Sequence, residues 1–98
     1  MFTNEEQAKQ EVELSEALER LEQNADYKRV ISEGYLDKLT KGLIMTLAYS
    51  TEAQLKERLN KLIGISNLQM YLINIKAGGE RAKAALADPS VFESGENE

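Results

Sequence analysis

Ninety-eight residues and 11.0 kDa confine this chain to one small domain with a modest core; 42% of its residues are apolar and 30% charged, with a formal net charge of −5. Histidine, cysteine and tryptophan are absent. That excludes thiol nucleophiles, Ser-His triads, zinc fingers and disulfide scaffolds.

The first predicted element starts at Thr3, whose spacing to Glu6 forms a capping box. Val12, Leu14, Ala17, Leu18, Leu21 and Ala25 follow as a narrow apolar stripe at helical spacing, among Glu, Gln, Lys and Arg. Asn24 is suited to ending this helix and Asp26 to capping the next. A seam this thin implies a helix that docks on a partner helix. The second helix is expected from about Tyr27 to Ala48. Tyr27, Val30, Ile31, Tyr35, Leu39, Leu43 and Leu47 mark one face, widened by Leu36 and Ile44. Gly34 and Gly42 lie inside it, each costing about 1 kcal/mol relative to alanine, and imply either close packing against another backbone or a kink.

Thr51 and Gln54 form a second capping box, with Ser50 an alternative cap. The third helix carries Leu55, Leu59, Leu62, Ile63, Leu68, Met70, Tyr71, Leu72, Ile73 and Ile75. Its first half is one-sided, whereas from Ile63 onward apolar residues spread round most of the circumference. Such a helix is expected to be covered on several sides, by its own chain or by another subunit. Gly78-Gly79 reads as a C-cap, Glu80–Ala87 as a short fourth helix and Asp88-Pro89 as its stop. The fold class is therefore all-α: a helical bundle or hairpin of three main helices plus a short C-terminal helix. Residues 1–87 form the domain, and 88–98 are expected to be a disordered acidic tail. No internal repeat of useful length is expected. No apolar stretch is long enough to span a membrane, and the two glutamates of Met1–Gln10 argue against a signal peptide.

Charge is segregated. Residues 1–26 carry a net −6, residues 27–86 a net +5 and residues 87–98 a net −4. The plain reading is a set of solvated helix faces; the functional one is charge steering between the first helix and the basic middle, within or between chains. Carboxylate pairs such as Glu13 with Glu16 sit on the most solvated helix rather than in a water-poor cleft. Neither a Glu-x-x-His motif, nor an EF-hand loop, nor a phosphate-binding glycine loop occurs. The tyrosines lie on apolar faces and read as core or interface residues. The chain is expected to be no enzyme and to need no cofactor, metal or small-molecule substrate. Lys56, Arg58, Lys61, Lys76, Arg81 and Lys83 raise nucleic-acid binding, but no cluster exceeds the pair Lys28-Arg29, and the pI of about 4.8 opposes it.

Two stretches, Ala17–Leu39 and Leu59–Leu86, resemble a group of small helical proteins of tailed bacteriophages, often encoded among head and assembly genes. The resemblance lies in packing and turn residues: Asn24, Asp26, Tyr27 and Lys28 at the turn, Gly34, Tyr35 and Leu36 in the second helix, Leu68, Tyr71 and Leu72 in the last. It implies a role in the virion or its assembly, located in the particle or the host cytoplasm, and carries over no catalytic residue. The expected function is a non-catalytic protein–protein interaction module that acts as a homo-oligomer, on a larger phage structural protein, or both. Its candidate interface is Val12, Leu14, Leu18, Leu21, Tyr35, Leu68, Tyr71, Leu72 and Ile75. The alternative is a small acidic inhibitor that binds a host protein, as a nucleic-acid mimic if the acidic helix is its active face.

Overall fold

A computed structural model describes residues 4–88 together with Ser90 and Phe92, and every element among them is helical. Helix α1 spans Glu5–Gln23. Asn4 caps it, its Oδ1 accepting from the Gln7 N–H at 2.8 Å; Thr3, the expected cap, lies outside the described residues. Asn24 separates α1 from the next helix and caps the latter, its Oδ1 accepting from the Tyr27 N–H at 3.0 Å. Asn24 thus takes the capping role expected of Asp26, because its extended backbone (φ −67°, ψ 128°) aims its side chain at the first turn.

The second helix opens with a single α-turn, α2 (Ala25–Tyr27), and continues as an 11-residue π-helical stretch, Lys28–Lys38. It ends as α3, Leu39–Met45. The sequence accounts for the wide turns. Tyr27, Ile31, Tyr35, Leu39, Leu43 and Leu47 recur every fourth residue. In an α-helix of 3.6 residues per turn this stripe would creep round the axis by about 40° per step. Turns of about 4.4 residues drift the opposite way. A π stretch followed by an α stretch limits this drift: Leu43 is buried on the stripe and Tyr27, Ile31, Tyr35 and Leu47 are half-buried, whereas Leu39 is 40% exposed. A 3₁₀ turn, Leu47–Tyr49, leads into extended Ser50. The Thr51–Gln54 capping box then forms reciprocally: the Thr51 N–H donates to Gln54 Oε1 at 3.0 Å, and the Gln54 N–H to Thr51 Oγ1 at 3.2 Å.

Helix α4 runs unbroken over Glu52–Ala87, 36 residues and about 54 Å. It passes through Gly78-Gly79, so the expected C-cap and separate fourth helix are corrected here: neither glycine has a positive φ, and the two serve packing instead. The helix ends one residue before Asp88-Pro89. Apart from Ser90 and Phe92, the expected tail after Asp88 lies outside the described residues.

The chain divides into two compact units. One comprises α1 up to Arg20 and the chain from Leu72 onward. Here the core is made of small side chains: Ala8 and Leu18 are buried on α1, and Ile75, Ala82 and Ala85 on α4, beside Gly78 and Gly79. The helices meet at backbone distance. A Cβ placed on Gly79 would overlap the Ser15 side chain, and one on Gly78 would come within 2.9 Å of a Glu11 carboxylate oxygen. The other unit, Leu21–Tyr71, holds the second helix and the first 20 residues of α4, with Leu43 and Ile65 buried. The Tyr35 hydroxyl lies against Gly64, 4.0 Å from a Cβ placed there.

Gly34 and Gly42 make no close approach to another element. Nothing lies within 4 Å of a Cβ on Gly42, and the nearest atom to one on Gly34 is the Arg29 carbonyl oxygen of its own helix at 3.0 Å. The close-packing glycines are 78 and 79: Gly79 meets the Ser15 side chain and the Glu11 carbonyl of α1, and Gly78 the Glu11 carboxylate.

Candidate functional site

Helix α4 carries a heptad pattern in two phases. Ile65, Leu68, Leu72, Ile75, Gly79, Ala82 and Leu86 are spaced 3-4-3-4-3-4, and each is buried or half-buried. This is the seam α4 turns toward its own chain. Two residues out of phase, and so about 200° round the helix, a second set recurs: Leu59, Ile63, Ser66, Met70 and Ile73, spaced 4-3-4-3. All five are exposed, the apolar four by 44%, 58%, 50% and 47% respectively. Ser66 supplies the one small side chain at its middle. Asn60, Asn67 and Asn74, each seven apart and each exposed, run along one edge. At the N-terminal end of α4 the same side opens into an apolar trough of about 740 Å³ at Leu55, Leu59 and Ile63, edged by Lys56 and Asn60.

An exposed large apolar residue is ordinary in isolation, but a row of them at coiled-coil spacing is a surface shaped for another helix. Fully burying a Leu, Ile or Met side chain contributes about 1.5–3 kcal/mol. Four half-exposed ones on a single face therefore represent several kcal/mol available to whatever covers them.

The residues named from sequence as an interface fall into three groups. Leu18 and Ile75 are buried in the chain's own packing. Val12, Tyr35, Leu68 and Leu72 are half-buried. Leu14, Leu21 and Tyr71 are exposed, by 45%, 48% and 58%. The two exposed leucines of α1 lie seven apart, about 100–140° round the helix from Ala8 and Ser15 and beside buried Leu18. Of the α4 residues now seen to form the exposed seam, none was in that set. Their signal was present in the sequence as the recurrence of Leu59, Ser66 and Ile73, and of Ile63 and Met70, at intervals of seven.

Three ion pairs join charged groups within single helices. Lys41 meets Asp37 at 3.1 Å, Lys61 meets Glu57 at 3.3 Å and Lys83 meets Glu80 at 3.9 Å. Arg58 Nη1 donates to the Ser50 hydroxyl, tying the start of α4 to the preceding corner. Within the Lys56–Lys61 run proposed as a phosphate-binding patch, Arg58 and Lys61 thus already have partners. On α1, Glu5, Glu6, Glu13, Glu16 and Glu19 are exposed, with Lys9 and Arg20 interleaved four residues after Glu5 and Glu16. Among the described residues no group of three or more acidic side chains is arranged to hold a metal ion, and no helix is long and apolar enough to cross a membrane. Comparison with protein-family models, curated proteins and solved structures finds no match.

Proposed function

We propose that this chain is a non-catalytic helical protein–protein interaction module, working as an oligomer in a bacteriophage particle or in its assembly. The observation that carries the interaction role is the exposed seam of α4, in which Leu59, Ile63, Met70 and Ile73 stand in coiled-coil register and are half-exposed. In this reading α4 is the central element of a helical bundle or hairpin: one seam holds the chain's own helices and the other is offered to a partner. The phage setting rests on the resemblance of the turn around Asn24–Lys28 and of the Leu68–Leu72 segment. The acidic-mimic alternative has the exposed glutamates of α1 in its favour. Lys9 and Arg20 at i,i+4 spacing from Glu5 and Glu16 dilute that face, as on an ordinary solvated helix.

The test is deletion of the coding sequence from the genome that carries it, followed by counting and imaging of assembled particles. A fall in particle number or a change in particle form is expected. Particles unchanged in number, form and protein composition would overturn the assignment.

A further inference from the structure

We infer that the corner between the second helix and α4 inserts into a lipid surface, with Met45 and Tyr49 as the side chains that enter it. The corner lies wholly within the Leu21–Tyr71 unit. It uses none of the residues of the α4 seam and stands without the interaction-module reading.

Three features point to lipid. First, Leu43, Ile44, Met45, Leu47, Ala48 and Tyr49 fill six of the eight positions from Gly42 to Tyr49, yet only Leu43 is buried. Met45 and Tyr49, 74% and 87% exposed, are the most open large apolar side chains among the described residues. Side chains this open project from the surface, which suits a fluid medium better than a second folded face. Secondly, the polar groups of the corner have partners inside the chain. The Thr46 hydroxyl donates to the Gly42 and Leu43 carbonyls at 3.1 and 3.0 Å, and the Ser50 hydroxyl to the Thr46 carbonyl at 2.7 Å. The Tyr49 and Ser50 N–H groups donate to the Thr46 and Leu47 carbonyls, both at 3.2 Å, and the Thr51 N–H to Gln54 Oε1. A turn facing water has no need of such completeness; one that enters a medium without hydrogen-bonding partners does. Thirdly, residues 42–51 carry no charge, and cations begin just behind them. Lys41 stands four residues before Met45, about 6 Å along the helix, and Lys56 lies a similar distance into α4. That matches the 5–10 Å depth of interfacial insertion, with the ammonium groups level with lipid phosphates. Of the acids nearby, Asp37 meets Lys41 and Glu57 meets Lys61, while Glu52 starts α4 at the corner itself. Tyr49 suits the headgroup level, where a ring with a hydroxyl finds both media.

The absence of tryptophan makes the contact directly readable. The full chain is mixed with phosphatidylcholine vesicles containing about one third phosphatidylglycerol, and sedimented with them. A Met45→Trp variant reports insertion by its emission, and Gln10→Trp, at an exposed position on α1, serves as the reference. The expected result is co-sedimentation, with Met45→Trp emission shifted to the blue and quenched by brominated lipid, and Gln10→Trp emission unchanged. Met45→Asp with Tyr49→Asp, folded by circular dichroism, should weaken vesicle binding at least about tenfold. Glu52→Gln should strengthen it. No co-sedimentation overturns the proposal and leaves a protein pocket as the destination of the corner. Binding that spares Met45→Trp emission, shifts both tryptophans alike, or ignores the double Asp substitution also overturns it.

Discussion

Gly79 of α4 lies so close to Ser15 of α1 that a methyl group on the glycine would overlap the serine side chain. The helices are in contact there through backbone and Cβ atoms, and the pairing depends on what both residues lack. Ser15 cannot swing away, since its Cβ is fixed to the backbone and its hydroxyl already donates to the Val12 carbonyl at 3.0 Å.

Gly79→Ala should therefore destabilise the chain by about 1–3 kcal/mol from overpacking, against a helix-propensity gain of about 1 kcal/mol. Ser15→Gly in the same chain should recover part of the loss, whereas Ser15→Ala should not, because the Cβ remains. Gly78→Ala should be milder, since its neighbour is the far end of the flexible Glu11 side chain at 2.9 Å. Urea denaturation of the four variants checks the order. Equal effects at 78 and 79 would contradict the close approach at Ser15.

Gly42 gives the opposite outcome. It is exposed in α3, and nothing lies within 4 Å of a Cβ placed there. Gly42→Ala should stabilise by about 0.5–1 kcal/mol by restricting the unfolded chain and favouring the helix. Thermal melting would show it as a higher midpoint; a lower one would mean that the open space is filled in solution.

Asn24 holds the only non-helical position between α1 and the second helix. Asn24→Ala removes the acceptor for the Tyr27 N–H and should cost about 1 kcal/mol. Asn24→Asp or Asn24→Ser, which keep an oxygen there, should cost much less. Chemical denaturation of the three variants separates loss of a cap from loss of an amide.

The exposed ion pairs contribute little by comparison. Lys41 and Asp37 are 71% and 52% exposed at their side chains, as befits a solvated i,i+4 pair. Asp37→Asn should change stability by no more than about 0.5 kcal/mol, and less in added salt. A loss several times larger in urea denaturation would mean that Asp37 does more than meet Lys41.

How much of this was legible beforehand differs between elements, for physical reasons. The Thr51–Gln54 box was readable because both halves of a capping box lie within four residues of each other. Gly78-Gly79 misled because a diglycine near a helix end has the local signature of a C-cap. What decides its conformation is Ser15, more than sixty residues earlier. The same cause kept Leu18 in the contact face of α1 but replaced Leu14 and Leu21 by Ala8 and Ser15: small residues are weak in any hydrophobic pattern and strong where backbones touch. The outer seam of α4 was hidden by abundance. With apolar residues on nearly every side, only separating the two heptad phases distinguishes Ile63 and Met70 from Ile65 and Leu72.

The wide-turned stretch Lys28–Lys38 has a consequence for chain length. It brings Tyr27 and Ile31 into line with Leu43 and Leu47 by a count of residues, so individual side chains along its outer side, such as Arg29 or Glu33, are open to replacement. Losing or gaining one residue is different in kind. It would rotate everything before the stretch by roughly a quarter turn relative to everything after it, turning half of the stripe out toward water. Point substitution on the outer side of this stretch and single-residue deletion anywhere within it should therefore behave as two separate classes of change, one nearly silent and the other severe.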